Sequence, residues 1–457
     1  MLPRVFYPLT TLAVALLAAC SSTPPYQAPT TTVPAAFKEN GNWQSANPQA
    51  AAVPDAWWQL YNDPVLNDLQ TRVEANQNIL ASAAQVRVAL AAVGSSRAAL
   101  SPTLGAGLTA SRSASPGTSA NNSITLSGSA SWELDLWGRL SGAVSADQAR
   151  LQASQDDLAA ARLSLHATVT QTYFSLRAAE TQSALLGSTL QAYQRSLNLT
   201  RNRYRSGVAA ASDVAQAENQ LKTTAAQLVE SDSNRSQLEH ALAVALGQAP
   251  ADFQLARTAT LPQTPAVPTL LPSKLLERRP DIAAAERRVA AAYAQIGVEQ
   301  AAFFPALTLS ASAGYRGSSL ANLISAPNLL WSLGPSLALA AFDGGLRQSN
   351  VDSARASTDA ATANYRQTVL TALQEVEDNL VIAASLQQEA ALQTEAVAAA
   401  QRALDIVNNQ YQSGTVSYLE VVTAQASVLS GQRSLLDVQN RLLAASNQLL
   451  KNIAGRW

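Results

Sequence analysis

Two histidines, one cysteine and scattered carboxylates are the groups this 457-residue chain offers for catalysis. His166 and His240 stand alone, with no Ser or Cys nucleophile motif beside either, so the nucleophile–base pairing needed for covalent catalysis is missing. The adjacent acids Asp156-Asp157 and Glu377-Asp378 read as solvated helix faces. Ser141-Gly142 and Asp343-Gly344-Gly345 are too short to cradle a phosphate. A lone cysteine excludes an intrachain disulfide and a Cys-built zinc or iron–sulfur centre, and two histidines leave little for a His-rich metal site. The residues therefore predict no enzyme, no catalytic or metal site and no cofactor. With 31 Lys+Arg against 32 Asp+Glu, a net charge of −1 and 14% charged residues, a basic surface for nucleic acid is excluded as well.

The cysteine stands where a different chemistry would use it. Residues 9–19 are an apolar stretch of signal-peptide length, too short to span a bilayer, and no second apolar run approaches eighteen residues. The stretch ends in Leu17-Ala18-Ala19-Cys20, which resembles the lipobox of bacterial lipoproteins, whose cysteine thiol takes a diacylglycerol and becomes the first mature residue. The alternatives are an ordinary signal peptide whose small residues precede a cysteine, or a buried thiol. On the lipoprotein reading 1–19 is a signal peptide, Cys20 carries a covalent lipid, and Ser21 in place of Asp resembles an outer-membrane address. The Pro-, Thr-, Ser- and Ala-rich residues 20–54 have no periodicity and read as an extended tether.

The elements follow from where proline is absent. The 20 prolines avoid 117–249 and 336–457, and an interior proline costs a helix about 3 kcal/mol, so both tracts predict very long helices. Leu151, Leu158 and Leu165 in the first tract, and Leu429, Leu436, Leu443 and Leu450 in the second, recur every seventh residue as in a coiled coil. A soluble helical bundle would give the same seam. Elsewhere the period is two: Leu104, Leu108 and Ala110 alternate with Gly105, Thr109 and Ser111; Ile124, Leu126, Trp132 and Leu134 with Thr125, Ser127, Ser131 and Glu133. The same writing returns at Leu307, Leu309 and Ala311, and at Leu333, Leu337 and Leu339. These are four candidate strands of roughly ten residues with one apolar and one small-polar face, the pattern of outer-membrane barrel strands or of a soluble amphipathic sheet.

The chain also repeats itself at an offset of about 203 to 208 residues. Ser101-Pro102-Thr103-Leu104 falls on Phe304-Pro305-Ala306-Leu307, Trp137-Gly138-Arg139 falls near Asp343-Gly344-Gly345, and Tyr204-Arg205-Ser206-Gly207 falls on Tyr411-Gln412-Ser413-Gly414. Each half reads helix, strand, strand, very long helix, turn, returning helix. The expected organisation is a first repeat at 55–249, a linker at 250–280 and a second repeat at 281–457. Four strands cannot close a barrel, whose smallest form needs about eight, so transmembrane strands require an oligomer.

The repeat, the lipobox, Trp57-Trp58 with Asp63-Pro64-Val65-Leu66-Asn67-Asp68-Leu69, the string Trp132-Glu133-Leu134-Asp135-Leu136-Trp137-Gly138-Arg139 and the string Leu275-Leu276-Glu277-Arg278-Arg279-Pro280-Asp281-Ile282 together resemble the TolC-like outer-membrane efflux factors, in particular their OprM/NodT lipoprotein branch. The resemblance implies an α+β membrane protein. Its helices would form a long coiled-coil barrel, and four strands per protomer an outer-membrane β-barrel completed in a homotrimer. It implies the exit duct of a tripartite efflux system, partnered by a periplasmic adaptor and an inner-membrane transporter of RND type, with the lipid membrane on one side. A non-conducting periplasmic adaptor or structural coiled-coil lipoprotein is the alternative. About 65 residues between 140 and 204 give roughly 100 Å of helix, the reach a periplasmic tunnel needs.

By the same resemblance the turns at Gly207 and Gly414 form a periplasmic gate. Motif matching places an Asp–Tyr link at Asp213 and Tyr411, and an acidic pore ring at Glu420. The family's gate arginine falls on Val416, which leaves Arg201, Arg203 and Arg205 as substitutes that the sequence does not separate. Adaptor docking is implied for the hairpin tips, at Gly207, Val208 and Ser212 and at Gly414, Thr415 and Tyr418. Trp132, Trp137 and Trp331 are read as an interfacial girdle or as packing under the strands, and Trp57 and Trp58 as a collar.

Overall fold

The computed structural model describes residues 26–31, 34, 36–39, 56–117, 119–265 and 279–453; the signal peptide, Cys20 and Leu275 to Arg278 lie outside them. Eleven longer elements follow in order: helices α1 (Pro64–Thr71) and α2 (Gln77–Ala98), strands β1 (Thr103–Ser113) and β2 (Asn121–Leu134), helices α3 (Arg139–Arg205), α4 (Ala211–Ala245) and α5 (Pro280–Ala301), strands β3 (Ala306–Gly317) and β4 (Leu329–Ala338), and helices α6 (Leu346–Ser413) and α7 (Tyr418–Ile453). The Pro-free tracts are filled as expected. α3 and α6 run 67 and 68 residues, each about 100 Å long. α2 corrects one expectation: its 22 residues are long and apolar enough to cross a membrane by length and composition, although Arg87 and interspersed Gln and Ser break up its apolar run.

Contacts divide the chain into two units, each drawn from both repeats: Met1–Thr31, Ala84–Asp156 and Ile282–Thr368 form one, and Thr32–Ala83, Asp157–Asp281 and Val369–Trp457 the other.

The first unit contains the sheet, an antiparallel meander in the order β1-β2-β3-β4 in which β2 and β3 join the two repeats. Register puts Leu104, Ala130, Ala311 and Leu333 in one cross-strand row, and Leu108, Leu126, Tyr315 and Leu329 in another. The rows on either side of the Leu104 row hold Thr103, Ser131, Ser310 and Gly334, and Gly105, Ser129, Ser312 and Ser332. Because side chains alternate faces, one face is apolar and the other is hydroxyl and glycine. The Ser312 and Ser332 hydroxyls meet at 2.8 Å on the second. On the first, Leu104 and Trp331 are 84% and 74% exposed, an apolar surface that no described residue covers. Gly314 is required by closeness, since a Cβ there would overlap the Leu126 carbonyl oxygen.

At the joints where strands become long helices, side chains satisfy the first backbone donors. Asp135 accepts from the N–H groups of Leu140 and Ser141 at 2.9 and 2.8 Å, while Glu133 and Arg139 pair through both carboxylate oxygens. Trp137 stacks on Phe304 at 4.8 Å and donates to the Pro305 carbonyl. In the second repeat Asp343 accepts from Gly345 and Arg347 N–H, and Gly344 and Gly345 both have positive φ. Trp132 donates to the Leu100 carbonyl and Trp331 faces outward, so the three tryptophans are not one belt: Trp137 is packing and Trp331 is surface.

In the second unit Trp57 is fully buried and donates to Asn447, whose own amide donates to the Ala167 carbonyl. Asp63 caps α1 through the N–H groups of Val65 and Leu66, with Pro64 in the first helical turn. Arg279, from the second diagnostic string, is buried and bonds Asp281, Glu375 and Asn452. The described part of the expected tether is pinned: Phe37 is buried, and Glu377 accepts the N–H groups of Lys38 and Glu39 at 2.7 and 2.9 Å. Glu377 is thus a backbone cap rather than a purely solvated acid.

Candidate functional site

The two long hairpins turn by the same backbone device. After α3, the Gly207 N–H bonds the Tyr204 carbonyl and the Val208 N–H bonds the Arg203 carbonyl, at 2.9 Å each; after α6, Gly414 and Thr415 repeat this with Tyr411 and Gln410 at 3.1 and 3.0 Å. This pair of bonds, the Schellman arrangement, puts the residue after the helix in the left-handed region, and Gly207 and Gly414 have φ of +73° and +81°. Both glycines are therefore needed for the reversal itself.

Between the turns lies a small apolar cluster of Tyr193, Leu197, Ala217, Leu221, Tyr411, Tyr418 and Val421, with Val416 packed against it. Val416 is half-buried there. Tyr418 is a correction. Expected among docking residues, it is 2% exposed, its ring 5.4 Å from that of Tyr411 and its hydroxyl 3.2 Å from Ser196. As the first residue of α7 it points inward. Gly207, Val208, Ser212, Gly414 and Thr415 are exposed.

The three arginines separate cleanly. Arg201 pairs with Glu218 on the surface at 2.6 Å, and Arg205 is exposed with no ion-pair partner among the described residues. Arg203 alone crosses to the other hairpin. Its guanidinium lies 4.6 Å from the Tyr411 ring centroid and donates to the carbonyls of Tyr411 and Gln412 at 2.9 and 3.3 Å. A cation at a helix C-terminus meets the carbonyls left without intrahelical donors, and over an aromatic face it gains a further attraction. Within the protomer Asp213 and Tyr411 are not bonded to one another. Asp213 accepts from the Ala210 N–H at 3.3 Å, and the Tyr411 hydroxyl lies 3.5 Å from that of Thr200. Glu420 is exposed in the first turn of α7 and has no ion-pair partner among the described residues.

Two further polar assemblies escaped the sequence reading. Glu180 accepts from Arg177 at 2.6 Å and Arg235 at 3.1 Å, all three almost wholly buried. The arginines also donate to the carbonyls of Ala256 and Leu255, and Glu180 accepts the Thr258 N–H. The start of the inter-repeat linker is thereby bound to α3 and α4. Arg177 and Glu180 are three residues apart, but Arg235 lies 55 residues from Glu180, and Ala256 lies 79 from Arg177, so no local motif marks the whole assembly. The second is around His166, stacked on Trp58 at 4.4 Å. The Gln70 amide nitrogen donates to the His166 carbonyl and to Thr170, so its oxygen must accept from His166 Nδ1 at 2.6 Å. Burial pushes the imidazole down to a pKa of about 4, keeping it neutral. Among the described residues no three of His, Cys, Asp and Glu converge to hold a metal.

The family model for outer membrane efflux proteins matches residues 69–248 and 271–455. The chain belongs to the outer membrane efflux protein family. It is 31% identical over 436 residues to the antibiotic efflux pump outer membrane protein ArpC of Pseudomonas putida, covering 92% of this chain and 90% of that one. It is 30% identical over 425 residues to the cation efflux system protein CusC of Escherichia coli, covering 90% of each. Among solved structures, the outer-membrane channel OprN superposes with a TM-score of 0.88 at 28% identity, over 95% of this chain and all but 1% of its own. The TolC-like resemblance read from the motifs is thus correct. As a member of this family the chain is an outer-membrane efflux channel protein that extends into the periplasm, with a helical-barrel portion and a β-barrel portion. The family is one of transport channels, so the alternative of an adaptor or structural lipoprotein falls away.

Proposed function

We propose that the chain is the passive exit duct of a tripartite efflux system, working as a homotrimer whose three sheets close into one twelve-stranded barrel. The observation that carries this is the sheet. It has one apolar and one hydroxyl face, both outer strands lack a partner among the described residues, and an open edge is untenable in lipid. The apolar rows would face acyl chains and the hydroxyl rows the lumen. On this reading Cys20, after removal of 1–19, carries the lipid that anchors the N-terminus, and 20–54 is the tether, with repeats at 55–249 and 281–457 joined by the 250–280 linker. The duct has no catalytic role and takes its energy from an inner-membrane transporter, of RND type, through a periplasmic adaptor. Relatives named for antibiotic and for cation efflux share this architecture, so cargo is chosen by the transporter.

The tip is the gate. Arg203 on Tyr411 ties the two hairpins of one protomer together; in the trimer Asp213 would meet Tyr411 of a neighbouring protomer, and three Glu420 side chains would form an acidic ring favouring cations. Exposed Gly207, Val208, Ser212, Gly414 and Thr415 supply small side chains against which adaptor hairpins pack. The test is the purified protein in detergent and in planar bilayers. Trimers that conduct, with conductance raised by Tyr411→Ala, are expected. Failure to conduct in both wild type and Tyr411→Ala would sink the duct.

A further inference from the structure

Among the described residues, the hydroxyl face of the sheet carries two charged side chains, one near each end. Glu133 stands beside the strand-to-helix joint and is neutralised by Arg139 through both oxygens. Arg316 stands at the other end, where β1 runs into β2 and β3 into β4, one residue before the end of β3. Register pairs it with Thr125, and its Nε donates to the Thr125 hydroxyl at 3.3 Å, which confirms the face it occupies. Its neighbours there are Thr109, Ser127, Gly314 and Leu330, none of them acidic. Arg316 is exposed, and no carboxylate among the described residues pairs with it. A neutralised Glu133 and an uncompensated Arg316 leave the face with a net positive charge at that end alone.

We infer that Arg316 lines the barrel interior at the mouth remote from the helices, and that its three copies form a ring of positive charge that concentrates anions there. This rests on the trimeric duct proposed above. The lumen wall around the ring is Ser, Thr and Gly with Leu330, none of them charged, so nothing in it offsets the guanidinium. The field of such a ring reaches about one Debye length, roughly 30 Å at 0.01 M salt and 3 Å at 1 M, so its influence fills the lumen only at low ionic strength. In this way the outer mouth and the Glu420 ring at the tip would carry opposite signs and act on different ions.

The experiment is the reversal potential of single trimers in planar bilayers under a tenfold KCl gradient, with Glu420→Gln as the background so that the tip ring does not mask the mouth. Adding Arg316→Gln should lower the anion-to-cation permeability ratio about twofold near 0.01 M KCl and leave it unchanged near 1 M, while Arg316→Lys retains the background ratio. An unchanged ratio at low salt, or a change that persists at 1 M, overturns the inference while the duct stands. Absence of conductance in wild type and in the Tyr411→Ala variant overturns the duct and the ring with it.

Discussion

Arginine holds this protein together in two places, by different chemistry. At residues 255–258, Arg177 and Arg235 share the buried carboxylate of Glu180, Arg235 also pairs with Glu239, and both arginines donate to backbone carbonyls of that segment. At the tip, Arg203 has an aromatic face and two carbonyls but no carboxylate. A buried carboxylate between two guanidiniums cannot be withdrawn without stranding charge in a medium that solvates it poorly. The tip contact, by contrast, leaves only neutral groups behind when it opens. The linker contact is thus built to stay shut, and the tip contact to be released.

The sharpest way to break the comparison is to remove the carboxylate. Glu180→Ala leaves buried Arg177 with no carboxylate and Arg235 with Glu239 alone, and should destabilise the fold by about 3 kcal/mol, read as a large fall in the denaturant midpoint. Conductance per surviving trimer should be unchanged. A variant as stable as wild type would mean that water reaches the cluster and that it is not the permanent clamp described.

Acid attacks the same unit through His166. Its folded pKa of about 4 lies below the ordinary 6.5, so between these values the unfolded chain binds a proton that the folded one refuses. This contribution is constant above pH 6.5, is lost as pH falls towards 4, and levels off below. At most about 3 kcal/mol is at stake, from 1.36 kcal/mol per pKa unit. His166→Gln, which keeps an amide donor for Gln70, should flatten stability between pH 6.5 and 4. An equally steep acid limb in the variant would assign the loss to carboxylates instead.

How much of this was legible in the sequence depends on the range of the interaction. Proline absence located α3 and α6, and period-two writing located all four strands, because helix and strand periodicity are local properties. Gly207 and Gly414 were readable for the same reason: a Schellman turn is closed within six residues. Arg203 was one of three arginines because its partner lies 208 residues away, and only the folded hairpins show which of the three faces across. Tyr418 was misplaced because a residue four beyond a turn glycine looks like part of the exposed tip. Its burial is decided by Ser196 and Tyr411 on other helices. Val416, where the resemblance implies the family's gate arginine, is half-buried against the same cluster, a contact that no local pattern announces.

A smaller effect tests whether the tip contact is the releasable one. Arg203→Ala removes a cation–π contact and two hydrogen bonds from a half-open site, worth about 2 kcal/mol of tip stability in total, too little to unfold a trimer. Its signature should be functional: faster amide hydrogen exchange confined to the last turns of α3 and α6, and a larger conductance with unchanged melting. Arg203→Lys keeps the charge but loses the planar fork that reaches two carbonyls, so it should fall between wild type and Ala. If Arg203→Ala instead lowers melting as far as Glu180→Ala does, the two arginine sites are equivalent and the tip is no more releasable than the linker. If melting and conductance both stay at wild-type values, the hairpins are held by the Tyr411–Tyr418 cluster, and the gate must be sought at contacts between protomers, where Asp213 is free to act.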